Sequence, residues 1–234
     1  MPLANEAADF AAFAQALGAV LDTEGGGNAY LVVDGASKDN TRALCDALSA
    51  RDPRFITVWA PENKNVVDAY LRGFRAAYDA GHEFIVEMDA GLSHDPAQIP
   101  LFVRALTAGN DCVFGSRFCR GGTMADSPLF RRSLSRAGTI LANGLLGSRL
   151  ADMTSGFEAF RRQTLGALLA YPLRSRAHFY QTEVRYLLRH RRQAELPISY
   201  RAPSNSVSKK AIRNALETLL YYFAQRLRGR AAAI

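Results

Sequence analysis

The sequence has little that would tie it together covalently or carry it through a bilayer. Its 234 residues hold 3 cysteines, Cys45, Cys112 and Cys119, with no CxxC pair. That set argues against a disulfide framework or a zinc knuckle and fits a reducing cytoplasm. Cys45 and Cys112 stand in apolar contexts, where a thiol behaves as a small buried hydrophobe. No run approaches the roughly 18 apolar residues that a membrane span needs. The opening MPLANEAADF lacks the basic-then-apolar layout of a signal peptide. Acids are also scarce: 22 Asp and Glu face 29 Lys and Arg, a net charge of +7 and a pI near 9.6. Such a balance suits anionic partners (nucleic acid, phosphorylated small molecules, a lipid surface) or a generally basic soluble surface. The basic residues are not interleaved with aromatics on a platform, which argues against nucleic acid.

What is present is an ordinary globular composition, 48% hydrophobic and 22% charged, with alternating periodicities. Helical spacing runs over Phe10–Leu21, Thr41–Leu48 and Val66–Ala80. Short apolar runs fall between them: AYLVV at 29–33, FITVW at 55–59, FIVEM at 84–88 and DCVFG at 111–115. Pro96 opens a further helix with Asp95 as its N-cap. Strands alternating with helices imply βαβ units and a largely parallel sheet covered on both faces. Ligands of such sheets sit beyond the carboxyl ends of the strands. Three polar turns fall there: DGASKD after Val33, DAGLSHD after Met88 and GSRF after Phe114.

The second half is more basic. SPLFRRSLSRAGTILANGLLG reads as a basic turn leading into a helix, and DMTSGFEAFRR as a loop followed by a short strand. A helix is expected over Tyr180–His190. AELPISY, at 194–200, is expected to be an edge strand, because Pro197 cannot donate to a ladder. APSNSVSKK reads as a flexible link. Lys209–Arg230 forms an amphipathic helix with Ile212, Leu216, Leu219, Leu220, Phe223 and Leu227 on one side. Such a helix suits an anionic membrane interface, or its apolar stripe packs on the body or on another subunit.

One acid, Asp89, ends a buried strand, a familiar place to hold a metal-bound phosphate; two residues on, Gly91 stands where a second acid would strengthen the case. Capping of a strand-end turn is the alternative role for Asp89, as closing an Asx-turn is for Asp34.

The order of these turns resembles the family 2 glycosyltransferases of GT-A fold, and among them the polyprenol (dolichyl) phosphate mannose synthases. Pro2, Asn5 and Glu6 look like the family's Pro-x-x-Asn-Glu element. VVDGASKDNT is similar to V-V-D-D-G-S-x-D-G-T and keeps Asp34, Ser37, Asp39 and Thr41, while MDAGLSHDP parallels M-D-A-D-L-S-H-x-P. GSRF, FRRSLSR and DMTSGF follow in the family's order. Four departures stand out. Gly35 and Gly91 replace acids, Asn65 and Val67 stand where glycines open the third helix, and most of the first strand is absent. A missing first strand would expose a sheet neighbour, unless a short beginning suffices or the true start lies upstream.

The resemblance implies a GT-A domain over residues 1–207, α/β with a mostly parallel central sheet, a truncated first strand and a basic C-terminal helix over 208–234. It implies transfer of a hexosyl group, mannosyl from GDP-mannose, to a polyprenyl or dolichyl phosphate with inversion, in the cytoplasm, peripheral to the inner face of a membrane. Alternatives are another family 2 transferase with a different donor or acceptor, and a non-catalytic nucleotide-sugar-binding protein with a degraded Asp-x-Asp site. By resemblance, Pro2, Asn5, Glu6, Asp34, Asp89 and Ala90 bind the donor, Glu6 and Asp34 reading base and ribose. Asp89 holds Mg²⁺ or Mn²⁺ in a site weakened by Gly91, with Ser93, His94 or Asp95 behind it. Arg117, Arg131 and Ser135 clamp the lipid phosphate, which is already ionised and needs no general base. Asp152 positions sugar or acceptor, or serves as base for a hydroxyl acceptor. Glu183 faces either the site or the core. Arg201 and Lys209 follow the last strand, where the family often has a basic lid.

Overall fold

The computed structural model describes residues 1–124, 127–201 and 209–234. Among the described residues, seven strands form two hydrogen-bonded ladders, β1-β2-β3 and β4-β6-β5-β7. In the first, β1 (Pro2–Leu3), β2 (Ala29–Val33) and β3 (Phe55–Trp59) are all parallel, with Pro2 opposite Val32 and Ala29 opposite Phe55. In the second, β5 (Cys112–Ser116) runs parallel to the edge strand β7 (Gln193–Pro197). Between β4 (Phe84–Glu87) and β5 lies β6 (Glu158–Arg161), antiparallel to both. The expected edge strand at Pro197 and the mostly parallel sheet are both present.

Helices cover both faces because the strands alternate between two cores. On β5, Cys112 and Phe114 enter one core while Val113 enters the other; on β6, Phe160 and Ala159 divide in the same way. One core is built from α3 (Val66–Asp79), α5 (Leu129–Leu146), α6 (Arg162–Ala170), α7 (Tyr180–Leu187) and α8 (Lys209–Leu227), through Phe74, Ala142, Leu165, Tyr180 and Tyr222. The opposite core takes Phe13 of α1 (Phe10–Thr23), Cys45 of α2 (Thr41–Arg51) and Phe102 of α4 (Ile99–Thr107). Phe102 stacks on Phe157 with ring centroids 4.2 Å apart. Each such buried side chain contributes roughly 1.5–3 kcal/mol relative to exposure.

Local chemistry sets the helix starts. Asn65 caps α3, its side chain accepting from the backbone N–H groups of Val67 and Asp68. The expected Asp95 cap is present, accepting from Ala97 N at 3.0 Å above a 3-10 turn, Pro96–Gln98, that leads into α4. Cys45 and Cys112 are buried, and burial pushes both thiols up to about 12.

A cavity of about 170 Å³ lies between β2 and β4, lined by Met1, Tyr30, Tyr70, Phe74, Ile85 and Glu87 among others.

The C-terminal helix forms as expected, but only part of its apolar stripe packs on the body: Leu219 is buried with Thr218 and Tyr222, whereas Ile212, Leu216, Leu220 and Leu227 are exposed. Tyr222 donates to Glu183 at 2.7 Å, and Arg226 donates to the Leu145 carbonyl at 2.9 Å, so α8 docks on α7 and α5 through a mixed polar face. The boundary expected at 207/208 and most of the expected link lie outside the described residues.

Candidate active site

The first two turns are stitched into one loop pair. Asn5 takes a left-handed backbone (φ 61°), tolerable for asparagine. Its Oδ1 accepts from Lys38 N at 2.8 Å, and its own N–H donates to Ser37 Oγ at 3.1 Å. Next to it, Glu6 N donates to Thr41 Oγ1 at 2.8 Å and Ala7 N to Asp39 Oδ2 at 3.0 Å. The hydrogen bond from Thr41, with others from Ala7 and Ser37, lowers the Asp39 carboxyl to about 2. Asp34 closes the turn after β2 by accepting from Ala36 N at 2.9 Å. These contacts bring the backbones of Pro2, Asn5 and Glu6 alongside the Asp34 turn.

Asp89 is fixed from three directions. Tyr70, on α3, donates its hydroxyl to Asp89 Oδ1. His94, fully buried, accepts from Asp89 N at 3.1 Å through Nδ1, which stands 3.7 Å from Asp89 Oδ2. Burial lowers the His94 pKa despite the nearby Asp89 charge, so its ring is a neutral acceptor. A Cβ on Gly156 would come within 3.4 Å of Asp89 Oδ1, which places the DMTSGF loop against the same carboxylate. The side chain of Asp89 remains 33% exposed, so the carboxylate meets solvent. Ala90 beside it is buried.

Gly91 adopts φ 67°, and a Cβ added there would overlap Glu6 Oε2 and stand 3.0 Å from Glu6 Cδ. The Glu6 carboxylate therefore fills the space beside Asp89 that a side chain at position 91 would enter. Partial burial raises the Glu6 pKa, and the charges of Asp9, Asp89 and Asp39 add to the effect.

Arg117, just after β5, and Asp152, at the start of the DMTSGF loop, face each other in the interior. Arg117 Nε and Nη2 donate to Asp152 Oδ2 and Oδ1 at 2.7 and 2.9 Å, and Nη2 also reaches Thr154 Oγ1 at 2.5 Å. The loop behind them is held by Glu195, which accepts from Ala151 N and Asp152 N, and by Thr139, which accepts from Met153 N. Burial alone would raise the Asp152 pKa, but the Arg117 hydrogen bonds and charge outweigh it and hold the carboxyl at about 2. Arg131 and Ser135 are both half-buried, one turn apart on α5. Tyr200 links the two sides: it hydrogen-bonds to Arg131, its ring lies 5.3 Å from the Arg117 guanidinium, and Asp89 and Arg117 both act on it.

Beneath the rim lies a buried polar layer. Glu87 and Glu158 stand opposite each other across β4 and β6. Arg185 Nη1 is 2.6 Å from Glu158 Oε1, and Tyr180 donates to Glu87. Burial raises Glu158 to about 7, against the pull of Arg185, and raises Glu87 well above the carboxylate range. Tyr70 packs on Tyr180 with centroids 4.9 Å apart, so the layer carries the residue that holds Asp89.

The structure thus joins Asn5 and Glu6 to the turn after β2, sets Glu6 beside Gly91 and Asp89, and links Arg117 with Asp152 and, through Tyr200, with Arg131. Pro2 lies in β1 opposite Val32, Asp34 closes its own turn, and Ser135 lies one turn from Arg131 on α5. Glu183 takes the core-facing option: it accepts from Arg174 N, Ser175 N and Tyr222. Arg201 is exposed, its N–H donating to Ser93 O at 3.0 Å, and Lys209 is exposed at the start of α8. Tyr70, Tyr180 and Tyr200 went unrecognised in the sequence; a tyrosine on the buried stripe of a helix beside the acid-bearing strand was the available signal for Tyr70. Among the described residues, no group of three or more His, Cys, Asp or Glu gathers to hold a metal ion.

Comparison with known proteins agrees with this geometry. The chain is 34% identical over 172 residues to the undecaprenyl-phosphate mannosyltransferase of Micrococcus luteus, covering 73% of this chain and 70% of that protein. It is 33% identical over 203 residues to the polyprenol monophosphomannose synthase of Mycolicibacterium smegmatis, covering 86% and 77%. Among solved structures, glucosyl-3-phosphoglycerate synthase from Mycobacterium tuberculosis with UDP superposes with a TM-score of 0.65 at 18% identity, over 95% of this chain and 78% of that one. The same enzyme with Mn²⁺, UDP and phosphoglyceric acid gives 0.62 at 18% identity, over 100% and 77%. These structural likenesses show the GT-A fold. Residues 1–169 match Glycosyl transferase family 2. With that match and relatives above 30% identity, the chain belongs to glycosyl transferase family 2.

Proposed function

We propose that this hexosyltransferase moves a mannosyl group from GDP-mannose to a polyprenyl phosphate. One observation carries the reading: turns far apart in sequence meet around Asp89, with carboxylates on one side and arginines on the other. The mannosyl and polyprenyl chemistry in the two relatives' names favours this donor and acceptor over others.

In this reading Pro2, Asn5 and Asp34 line the nucleoside end, and the Ala90 backbone lies along the diphosphate. Asp89 is the protein's carboxylate for Mg²⁺ or Mn²⁺. Beside it the Glu6 carboxylate fills the space that Gly91 leaves free of a side chain, so Asp89 has a second oxygen donor for a neighbour, which suits a hard cation that favours oxygen ligands. Such a cation, when bound, supplies charge neutralisation to the leaving diphosphate. Tyr70 holds Asp89 in place for it.

Arg131 and Ser135 take the acceptor phosphate, and Tyr200 ties Arg131 to the rim. Arg117 acts through Asp152, locking the DMTSGF loop against the site. With both carboxylate oxygens engaged by Arg117, Asp152 positions rather than abstracts, in keeping with an acceptor that arrives ionised. No helix among the described residues is long and apolar enough to cross a membrane. A lipid acceptor would instead be met by α5 and α8. Leu129 and Phe130, 77% and 74% exposed, flank Arg131 and Arg132, and Leu220 and Leu227 are exposed on α8, a pattern suited to an anionic interface.

The test is a panel of GDP-mannose, GDP-glucose, UDP-glucose and UDP-galactose incubated with undecaprenyl phosphate and Mg²⁺ or Mn²⁺. Lipid-linked mannose from GDP-mannose alone is expected. Turnover confined to another donor, or nucleotide binding without turnover, would overturn the assignment.

A further inference from the structure

Gly91 and Glu6 lie far apart in sequence, yet they contend for one volume. At φ 67° the glycine directs its missing side chain at the Glu6 carboxylate, overlapping Oε2 and standing 3.0 Å from Cδ. No hydrogen bond to either Glu6 carboxylate oxygen is formed among the described residues, although its backbone N–H is held by Thr41. The carboxylate is thus placed by its backbone and left open at its tip. It is near enough to Asp89 for the two charges to act on each other.

We infer that Glu6 supplies the second carboxylate of a divalent-cation site with Asp89, taking the place that an acid at position 91 would occupy. The inference rests on the proposed role of Asp89 and reassigns Glu6 from base or ribose contact to metal ligation. Two carboxylate oxygens and the phosphate oxygens of a nucleotide form a hard-donor set of the kind that Mg²⁺ and Mn²⁺ accept, with water completing the shell. The cradle explains why a glycine suffices at position 91: an aspartate there would collide with Glu6 and duplicate its charge. Aspartate is among the few residues that tolerate a left-handed backbone, and the overlap is with the tip of a flexible side chain, so Glu6 in its present place and an acid at 91 are alternatives: one carboxylate takes this volume only when the other is displaced.

Binding of Mn²⁺ in the presence of GDP, followed by the electron-spin resonance signal of free Mn²⁺, tests this without turnover. Glu6→Gln keeps the shape and removes the charge; it is expected to weaken Mn²⁺ binding tenfold or more, with an unchanged melting temperature. Glu6→Ala is expected to weaken it likewise, and Glu6→Ala combined with Gly91→Asp to bring affinity back to within about threefold of wild type. Glu6→Gln binding Mn²⁺ within twofold of wild type, while Asp89→Asn loses tenfold, would overturn the inference and leave the Asp89 reading intact. A double variant as weak as Glu6→Ala would also count against it. An Asp89→Asn protein that binds Mn²⁺ normally would remove the Asp89 reading and this inference together.

Discussion

Arg117 and Asp152 form a two-pronged ion pair in the interior, with the Asp152 side chain wholly excluded from solvent and Arg117 only 5% exposed. Each residue comes from a loop that faces the site, so the pair joins the end of β5 to the start of the DMTSGF loop. Removing one partner leaves the other charge buried alone. Asp152→Asn or Arg117→Met is therefore expected to cost about 3–5 kcal/mol in denaturant unfolding. Arg117→Lys keeps the charge but loses the fork, and should fall between wild type and Arg117→Met.

The same pair sets an acid limb. Folded Asp152 holds its proton only below about 2, against an ordinary value of 3.8. Between those values the unfolded chain binds the proton first, so stability falls as pH drops through this window and is fully present above about pH 4. Melts from pH 5 to pH 2 should show the decline.

Glu87 works in the opposite sense. Burial holds its proton on well above the ordinary 4.5, so the folded chain binds the proton more tightly than the unfolded one. Its contribution is complete below pH 4.5 and is lost as pH rises through the folded value. Glu87→Gln keeps an acceptor for Tyr180 and cannot ionise. It should melt close to wild type at pH 4 and above it at pH 8, with a flatter pH dependence between.

Tyr70→Phe removes only the hydroxyl that Asp89 accepts, while the ring contact with Tyr180 remains. A hydrogen bond to a charged group contributes about 1.5–3 kcal/mol. A loss of kcat/KM of roughly tenfold or more is expected, together with a raised Mn²⁺ requirement. A variant as active as wild type would remove Tyr70 from the site.

The two sides of α8 should respond differently. Leu219→Ala, at 3% exposure, is expected to cost about 2–5 kcal/mol. Leu220→Ser and Leu227→Ser, both exposed, should leave stability within about 0.5 kcal/mol. They should lower sedimentation with vesicles containing anionic lipid, whereas unchanged sedimentation would separate α8 from membrane contact.

Most of the fold was legible because strand and helix periods are cleanly written. AYLVV and DCVFG are apolar runs of strand length, and the buried positions of Val66–Asp79 recur at helical spacing. Asn65 shows where motif reading stops: expected to be a glycine, it instead caps α3 through its side chain, a local solution that serves the helix start as well. The C-terminal helix was legible as a helix, but which residues dock was not, because apolar residues occur on two sides of it and docking took Leu219 together with Thr218 and Tyr222, whose hydroxyl finds Glu183. That choice depends on α7 and α5, which no local pattern encodes. The residues assigned to the rim could be picked out by motif order, but their mutual geometry could not. The Tyr70 support of Asp89 and the meeting of Glu6 with Gly91 arise only when α3, the first loop and the turn after β4 come together.

The place of β6 has a consequence for how fast the chain folds. It completes its ladder by pairing with both β4 and β5, yet α4 and α5 lie between it and β4 in the chain. Pairings so distant in sequence must close large loops before any contact rewards them, so this part of the sheet should assemble late and slowly.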